Sequence, residues 1–177
     1  MRIFTDICKI YKRLFWSLEH QARNAGVILG TNNEIMSRFW STEPYLISIG
    51  SNCQITSGVK VHTHGGAQAI RDKYPDFDCF GKVKIGDYVY IGNNSMIMPG
   101  ITIGDNVIIG AGSIVTKSIP SNCVVAGNPA KYICSTDDYI QRNIKYNTNS
   151  KSLSPIAKKK LLMGLPDLSF IKKNNII

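Results

Sequence analysis

The chain lacks several features that mark large classes of protein. No run of apolar residues among its 177 positions approaches the roughly 20 that a helix needs to span a bilayer. Its five cysteines are odd in number and form no CxxC pair, which argues against a disulfide framework or a zinc site, so we expect small buried thiols. Charged residues occur throughout the N-terminal segment, without the apolar core of a signal peptide. The sequence therefore predicts a cytoplasmic protein.

Histidines and acidic residues are also scarce. The chain has 3 histidines, and its 12 acidic residues face 21 basic ones, which gives a net charge of +9. The basic residues concentrate near the two ends, and no nucleic-acid-binding motif accompanies them. We therefore expect no nucleic acid partner, and the charge favours phosphorylated small molecules or an anionic membrane surface instead.

What the chain does have is a six-residue repeat. An aliphatic residue leads each unit, at Leu29, Ile35, Ile49, Ile55, Val61, Ile85, Ile91, Ile97, Ile103, Ile109 and Val115. A period of six fits neither an amphipathic helix nor a flat strand, but it fits a chain that turns a corner every six residues. Three such sides close a coil, and stacked coils bury a continuous aliphatic column. The repeat therefore predicts a β-solenoid.

The main interruption of this repeat lies at residues 65–82, and a smaller irregularity precedes Ile49. The leading residues Val61 and Ile85 stand 24 positions apart, a whole multiple of six, so the insertion preserves the phase. We expect a loop of about eighteen residues that protrudes from one turn and builds a pocket wall. Its Arg71 and Tyr74 suit contacts with a sugar substrate, although the loop could instead be an arm that contacts another subunit.

Two longer segments are typical of a known family. IMPGITIGDNVIIGAGSIVTKSIPSNCVVAGNPAK and SRFWSTEPYLISIG resemble the hexapeptide-repeat acyltransferases, in the branch of sugar O-acetyltransferases and polysaccharide-biosynthesis acetyltransferases. The resemblance covers about residues 27–133. It implies a mainly β fold, the left-handed parallel β-helix, assembled as a homotrimer. It also implies acetyl-CoA as co-substrate, a histidine as general base, no metal, and a saccharide acceptor in capsule, O-antigen or related glycan synthesis.

The candidate general base lies at the start of the loop. His62 and His64 alternate with Thr63 after the inward Val61, so both imidazoles should point outward. By position, His64 matches the base of the family, and His62 would line the acceptor pocket or simply pack. Many relatives carry an acidic residue directly after this histidine, where this chain has glycine. We therefore expect Glu43, in STEPYL, to orient the imidazole.

The same resemblance implies a set of acetyl-CoA contacts along the repeat. These are Tyr90, Asn93, Ala111, Gly112, Thr116, Lys117, Asn128 and Lys131. Asn93 would lie near the thioester, residues 111–112 would meet the pantetheine, and residues 116–117 would follow along the same edge. Lys131 would lie beside the adenosine phosphates as a point charge. Tyr90 could instead pack between subunits, and the two lysines could be solvated surface.

The chain is predicted to have three parts. Residues 1–24 form an N-terminal helical cap, residues 25–133 the β-helix, and residues 134–177 a short helical extension with a tail. The N-terminal helix is basic and amphipathic over residues 3–18. We expect it to cap the solenoid, and it could instead contact the inner face of a membrane.

Three other functions stay open at this point. The enzyme could acetylate the amine of a nucleotide-linked amino sugar, because the loop does not distinguish an oxygen from a nitrogen acceptor. Acetylation of an antibiotic is weakened by the lack of a tryptophan-rich C-terminus. A non-catalytic trimeric β-helix scaffold would need neither His64 nor the loop.

Overall fold

The computed structural model describes residues 15–173 and residue 175. Most of the predicted helix over residues 3–18 lies outside the described residues. Helix α1 (Leu18–Ala25) begins after Ser17, whose hydroxyl accepts a hydrogen bond from the His20 backbone N–H at 3.2 Å. It ends at Gly26, whose φ of 115° favours glycine.

Thirteen short strands follow in the described part of the chain. They are β1 (Ile28–Leu29), β2 (Glu34–Ile35), β3 (Ile47–Ile49), β4 (Gln54–Ile55), β5 (Lys60–Val61), β6 (Val83–Ile85), β7 (Tyr90–Ile91), β8 (Met96–Ile97), β9 (Thr102–Ile103), β10 (Ile108–Ile109), β11 (Ile114–Val115), β12 (Cys123–Ala126) and β13 (Lys131–Ser135). They form face A (β1-β3-β6-β9), face B (β13-β12-β10-β7-β4-β2) and face C (β11-β8-β5). The chain visits the three faces in turn, which is the predicted three-sided solenoid.

Parallel pairing holds the coils in register. In β7 and β10, Tyr90 pairs with Ile108 and Ile91 with Ile109, so one coil takes 18 residues, or three units of six. The leading aliphatic residues point inward, and each is at most 8% exposed. Polar residues that share this interior are bonded: the Ser95 hydroxyl donates to the Gly110 carbonyl at 3.0 Å. The buried aliphatic column thus stabilises the fold.

The insertion adds one coil length without changing the register. Gln54 in β4 pairs with Tyr90 in β7, a separation of 36 residues and twice the usual 18. The loop closes at its base, where His64 and Phe80 form an antiparallel bridge and the Gly81 N–H donates to the Thr63 carbonyl at 2.7 Å. A Cβ on Gly81 would lie 2.2 Å from the Gly100 nitrogen, so glycine alone fits there. These pairings agree with the predicted insertion of about eighteen residues.

In the described residues beyond the solenoid, the chain forms two α-helices, α2 (Thr136–Asn143) and α3 (Pro155–Met163), and two short 3-10 helices, Ile144–Tyr146 and Asp167–Ser169. The compact units divide after Thr136 rather than at the predicted residue 134. The difference has a clear cause: β13 pairs antiparallel with β12 and so belongs to the first unit.

The cysteines and the helices bear on two further expectations. Cys53, Cys123 and Cys134 are buried thiols as expected, Cys79 lies exposed in the loop against the expectation, and Cys8 is outside the described residues. In residues 15–173, no helix has the length and apolar character needed to cross a membrane.

Candidate active site

A histidine–carboxylate pair lies at the base of the loop. Val61 and Thr63 point into the coil and are at most 1% exposed, whereas His62 and His64 are half-buried on the outer side. The alternation is the predicted one. The His64 Nδ1 lies 2.7 Å from Glu43 Oε2, with the two side chains 34% and 17% exposed. Glu43 is therefore in position to orient the imidazole.

Both oxygens of the Glu43 carboxylate have further partners. The Thr42 Oγ1 donates to Oε1 at 2.7 Å, and the Thr63 Oγ1 donates to Oε2 at 2.8 Å. The Thr42 hydroxyl has the largest effect in holding the Glu43 pKa below the ordinary value of 4.5, with Thr63 and His64 adding to it and burial opposing it. Glu43 is thus ionised at neutral pH. An ionised carboxylate at Nδ1 favours the tautomer with a proton there, which leaves Nε2 free to accept one.

Phe80 completes the surroundings of His64, and the sequence reasoning missed it. Its ring centroid lies 5.4 Å from that of His64, at 55° to it, and the side chain is 51% exposed. Phe80 is positioned by the antiparallel bridge that closes the loop. The only signal in the sequence was its place just before the repeat resumes, where the chain must return to the coil.

Most of the residues predicted to contact acetyl-CoA lie along one corner of the solenoid. Corner BC, where the chain turns from face B to face C, carries Asn93, Ala111, Gly112 and Asn128, all exposed. The turns stack directly, since the Gly112 N–H donates to the Asn93 carbonyl at 2.8 Å. Gly112 has a φ of 69° and open space where a Cβ would stand, so the backbone is bare at this position. Lys131, exposed, begins β13 after the hairpin turn at this corner.

Thr116 and Lys117 do not lie at corner BC of the same copy as expected, and their contact with acetyl-CoA stays a prediction. They follow β11 of face C and precede Ile119, which bridges to β9 of face A. A six-residue side carries the chain across face C to the next corner. Corner CA, where the chain turns from face C to face A, therefore holds residues 116–117 together with Glu43 and His64. At about 3.3 Å per residue, the roughly five residues between the two corners span about 16 Å.

The remaining candidates lie nearby on the surface. Tyr90 is 38% exposed on the outer side of face B, between Gln54 and Ile108 of the neighbouring strands. Arg71 bonds within the loop, where its Nε donates to the Phe77 carbonyl at 3.3 Å. Tyr74 is 64% exposed. In the part of the chain that the structure describes, no group of three or more His, Cys, Asp or Glu could hold a metal ion.

Comparison with known proteins places this geometry in a family. Residues 82–117 match the family model described as "Bacterial transferase hexapeptide (six repeats)". "Protein CapG" of Staphylococcus aureus is 44% identical over 86% of this chain and 95% of the relative. "Galactoside O-acetyltransferase" of Escherichia coli (strain K12) is 39% identical over 62% of this chain, which spans 57% of that relative's length.

A solved structure agrees with these relatives. The maltose O-acetyltransferase from Clostridium difficile 630 is 32% identical, with a TM-score of 0.56 over 73% of this chain and 84% of that one. The predicted family, the acetyltransferase class and the left-handed parallel β-helix are confirmed by these matches. The chain belongs to the hexapeptide-repeat transferases, in the branch that includes the sugar O-acetyltransferases.

Proposed function

We propose that this protein moves an acetyl group from acetyl-CoA to a hydroxyl of a saccharide, with His64 as general base. The observation that carries the proposal is the 2.7 Å contact between His64 Nδ1 and Glu43 Oε2 on the outer surface of a hexapeptide-repeat solenoid. The relatives named as galactoside and maltose O-acetyltransferases support a sugar acceptor.

The pair suits the proton transfers of this reaction. The acceptor oxygen attacks the thioester carbonyl carbon while His64 Nε2 takes the hydroxyl proton. The carbon–sulfur bond of the resulting tetrahedral intermediate then breaks, and the imidazolium returns the proton to the departing sulfur. Glu43, ionised and bonded at Nδ1, stabilises the imidazolium between these two steps.

Corner BC offers a fitting path for the donor. The bare backbone around Gly112 leaves room for a narrow chain such as pantetheine, and Asn93 lies one coil below it. Lys131 provides a positive charge at the upper end, where phosphates would bind. The net charge of +9 favours an anionic donor as a whole.

We propose that the working site lies between two copies of the chain in a homotrimer. Corners CA and BC of one copy stand about 16 Å apart across face C, too far for an imidazole to reach a thioester bound at Asn93. If corner CA of one copy faces corner BC of the next, His64 meets the donor and three equivalent sites form. Thr116 and Lys117 would then line the opposite wall of the same cleft.

The acceptor side is formed by the loop. Phe80 offers an exposed aromatic ring beside the base, a surface on which the apolar face of a sugar can pack. His62, Arg71 and Tyr74 stand on the same side of the coil or on the loop and could add polar contacts. We propose that the reaction takes place in the cytoplasm, and a role in capsule, O-antigen or related glycan synthesis stays a prediction.

A thiol-release assay tests the proposal. Acetyl-CoA is offered with maltose, a galactoside, amino sugars or water, and turnover is compared for the native protein and the variants His64→Ala and His62→Ala. We expect His64→Ala to lower turnover by about 10²- to 10⁴-fold while acetyl-CoA binding persists, and His62→Ala to do far less. Near-native turnover of His64→Ala would reject the base, and an amide rather than an ester in the acetylated product of the amino sugars would reject the oxygen acceptor.

A further inference from the structure

Thr63 ties the coil interior to the candidate site. It occupies an inward position, is fully buried, and follows the aliphatic lead Val61. A hydroxyl at such a position is retained only when it has hydrogen-bond partners. Its Oγ1 lies 2.8 Å from both Glu43 Oε2 and Ser41 Oγ. A hydroxyl has one hydrogen, and the carboxylate is the stronger acceptor, so that hydrogen belongs to Glu43.

Thr42 holds the other oxygen of the same carboxylate. Its Oγ1 lies 2.7 Å from Glu43 Oε1, so each oxygen accepts a bond from one threonine. Ser41 supports the arrangement, because its Oγ accepts from the Thr63 N–H at 3.3 Å. The carboxylate is therefore fixed on both sides before it meets His64.

We propose that Thr63 and Thr42 are positioning residues, which fix the Glu43 carboxylate against His64 Nδ1 and thereby direct His64 Nε2 toward the acceptor. The inference rests on the proposed function of His64. It is distinct from general burial or packing, because both hydroxyls converge on one carboxylate whose other contact is the imidazole.

The physical reason is the freedom of a glutamate side chain. Glu43 is partly exposed, and without the two hydroxyls it can rotate toward solvent, which lowers the fraction of molecules with a bonded His64. The imidazole would then lose its fixed tautomer and orientation. Such a loss lowers kcat and leaves the binding of acetyl-CoA unchanged, because both threonine hydroxyls are bonded to the Glu43 carboxylate rather than offered to a ligand.

The experiment replaces each hydroxyl by a methyl group of the same shape. Thr63→Val and Thr42→Val are compared with Thr63→Ser, which keeps the hydroxyl, in thiol release from acetyl-CoA with maltose or a galactoside as acceptor. The matched control is Cys53→Ala, because Cys53 is also a buried hydrogen-bond donor of the coil, but its Sγ donates to the Gly86 carbonyl at 3.1 Å at the corner between faces A and B, away from corners BC and CA. Thr63→Val and Cys53→Ala each remove one buried hydrogen-bonding group from the coil, so both test its stability and only an effect on kcat reports on the site.

We expect Thr63→Val to lower kcat about tenfold with the KM for acetyl-CoA unchanged, and Thr63→Ser to restore most of it. Each threonine variant is also made together with Glu43→Ala. In the Glu43→Ala background, replacing either threonine should lower kcat by less than about twofold, because the effects of residues that act through one another are not additive. Cys53→Ala should keep native kcat in both backgrounds.

Equal losses with and without Glu43, or an unchanged kcat in both threonine variants, would overturn the inference. If Thr63→Val does not fold, Thr42→Val decides alone, since Thr42 is exposed and tolerates the change. The proposed function fails separately: it is rejected if His64→Ala keeps native turnover. If His64→Ala loses turnover but the threonine variants lose the same factor in kcat with and without Glu43, only the positioning role is rejected.

Discussion

A site shared between two copies can be tested by mixing two inactive variants. His64→Ala removes the base from corner CA and leaves corner BC intact. Ala111→Trp leaves the base intact and places an indole at corner BC, where Ala111 is exposed. The indole blocks the path proposed for pantetheine. Each variant alone should therefore have little turnover, for different reasons.

The expected recovery follows from the arrangement of the corners. In a trimer whose sites each take corner CA from one copy and corner BC from the next, a site works only if both halves are intact. With random 1:1 mixing, each half is intact with a probability of one half. About one quarter of the sites are then whole, so turnover should recover to about a quarter of the native value. A site within one copy would recover nothing, because every copy carries one lesion.

The assay uses co-expressed variants with two different affinity tags. Mixed assemblies are purified through both tags, their mass is measured, and thiol release from acetyl-CoA is compared with that of each variant alone and of the native protein. Purification through both tags enriches mixed trimers, which raises the whole-site fraction to about one third. Mixed trimers no more active than either parent would refute the shared site and the distance argument across face C.

Three further predictions follow from single residues. Lys131→Ala should raise the KM for acetyl-CoA several-fold and leave the KM for the acceptor unchanged, whereas Lys84→Ala, exposed on face A, should change neither. Ile91→Ala should lower the free energy of unfolding by about 2–5 kcal/mol in a denaturant titration, against about 0.5 kcal/mol for the exposed Ile156→Ala. Because the folded-state pKa of Glu43 lies below 4.5, its contribution to stability is present above that pH and lost as the pH falls below it. The stability difference between native protein and Glu43→Gln should shrink over that acid range, and a constant difference would contradict the pKa direction.

The solenoid could be predicted from sequence because its contacts repeat. Each coil packs mainly on the next, 18 residues away, so every side of six must satisfy the same demand for an inward aliphatic residue. The same regularity located the insertion and the outward direction of His64. It also predicted that the turns containing Asn93 and Gly112 lie together, because equivalent turns of successive coils lie at one corner.

Other parts depended on irregular spacing that the repeat does not encode. The first coil is longer than 18 residues: Ile28 pairs with Ser48, and Glu43 meets His64 21 residues later. The extra residues form the bend that places Glu43, so its two threonine partners were not predictable from the period. Phe80 was missed for a similar reason, because its position is set by the return of the loop.

These two irregularities lie at the same corner, and their coincidence has a physical explanation. In the regular coils after residue 83, corner BC offers short side chains and open backbone at Gly112, which suit a long, narrow donor but cannot surround an acceptor. A reacting hydroxyl needs side chains that converge from several directions, and a uniform coil cannot supply them. The bend at Glu43 brings a carboxylate from the coil below, and the loop brings Phe80 from the side. His64 lies between these two departures from the repeat, in contact with both, so this corner is where the proposed acceptor would meet side chains from several directions.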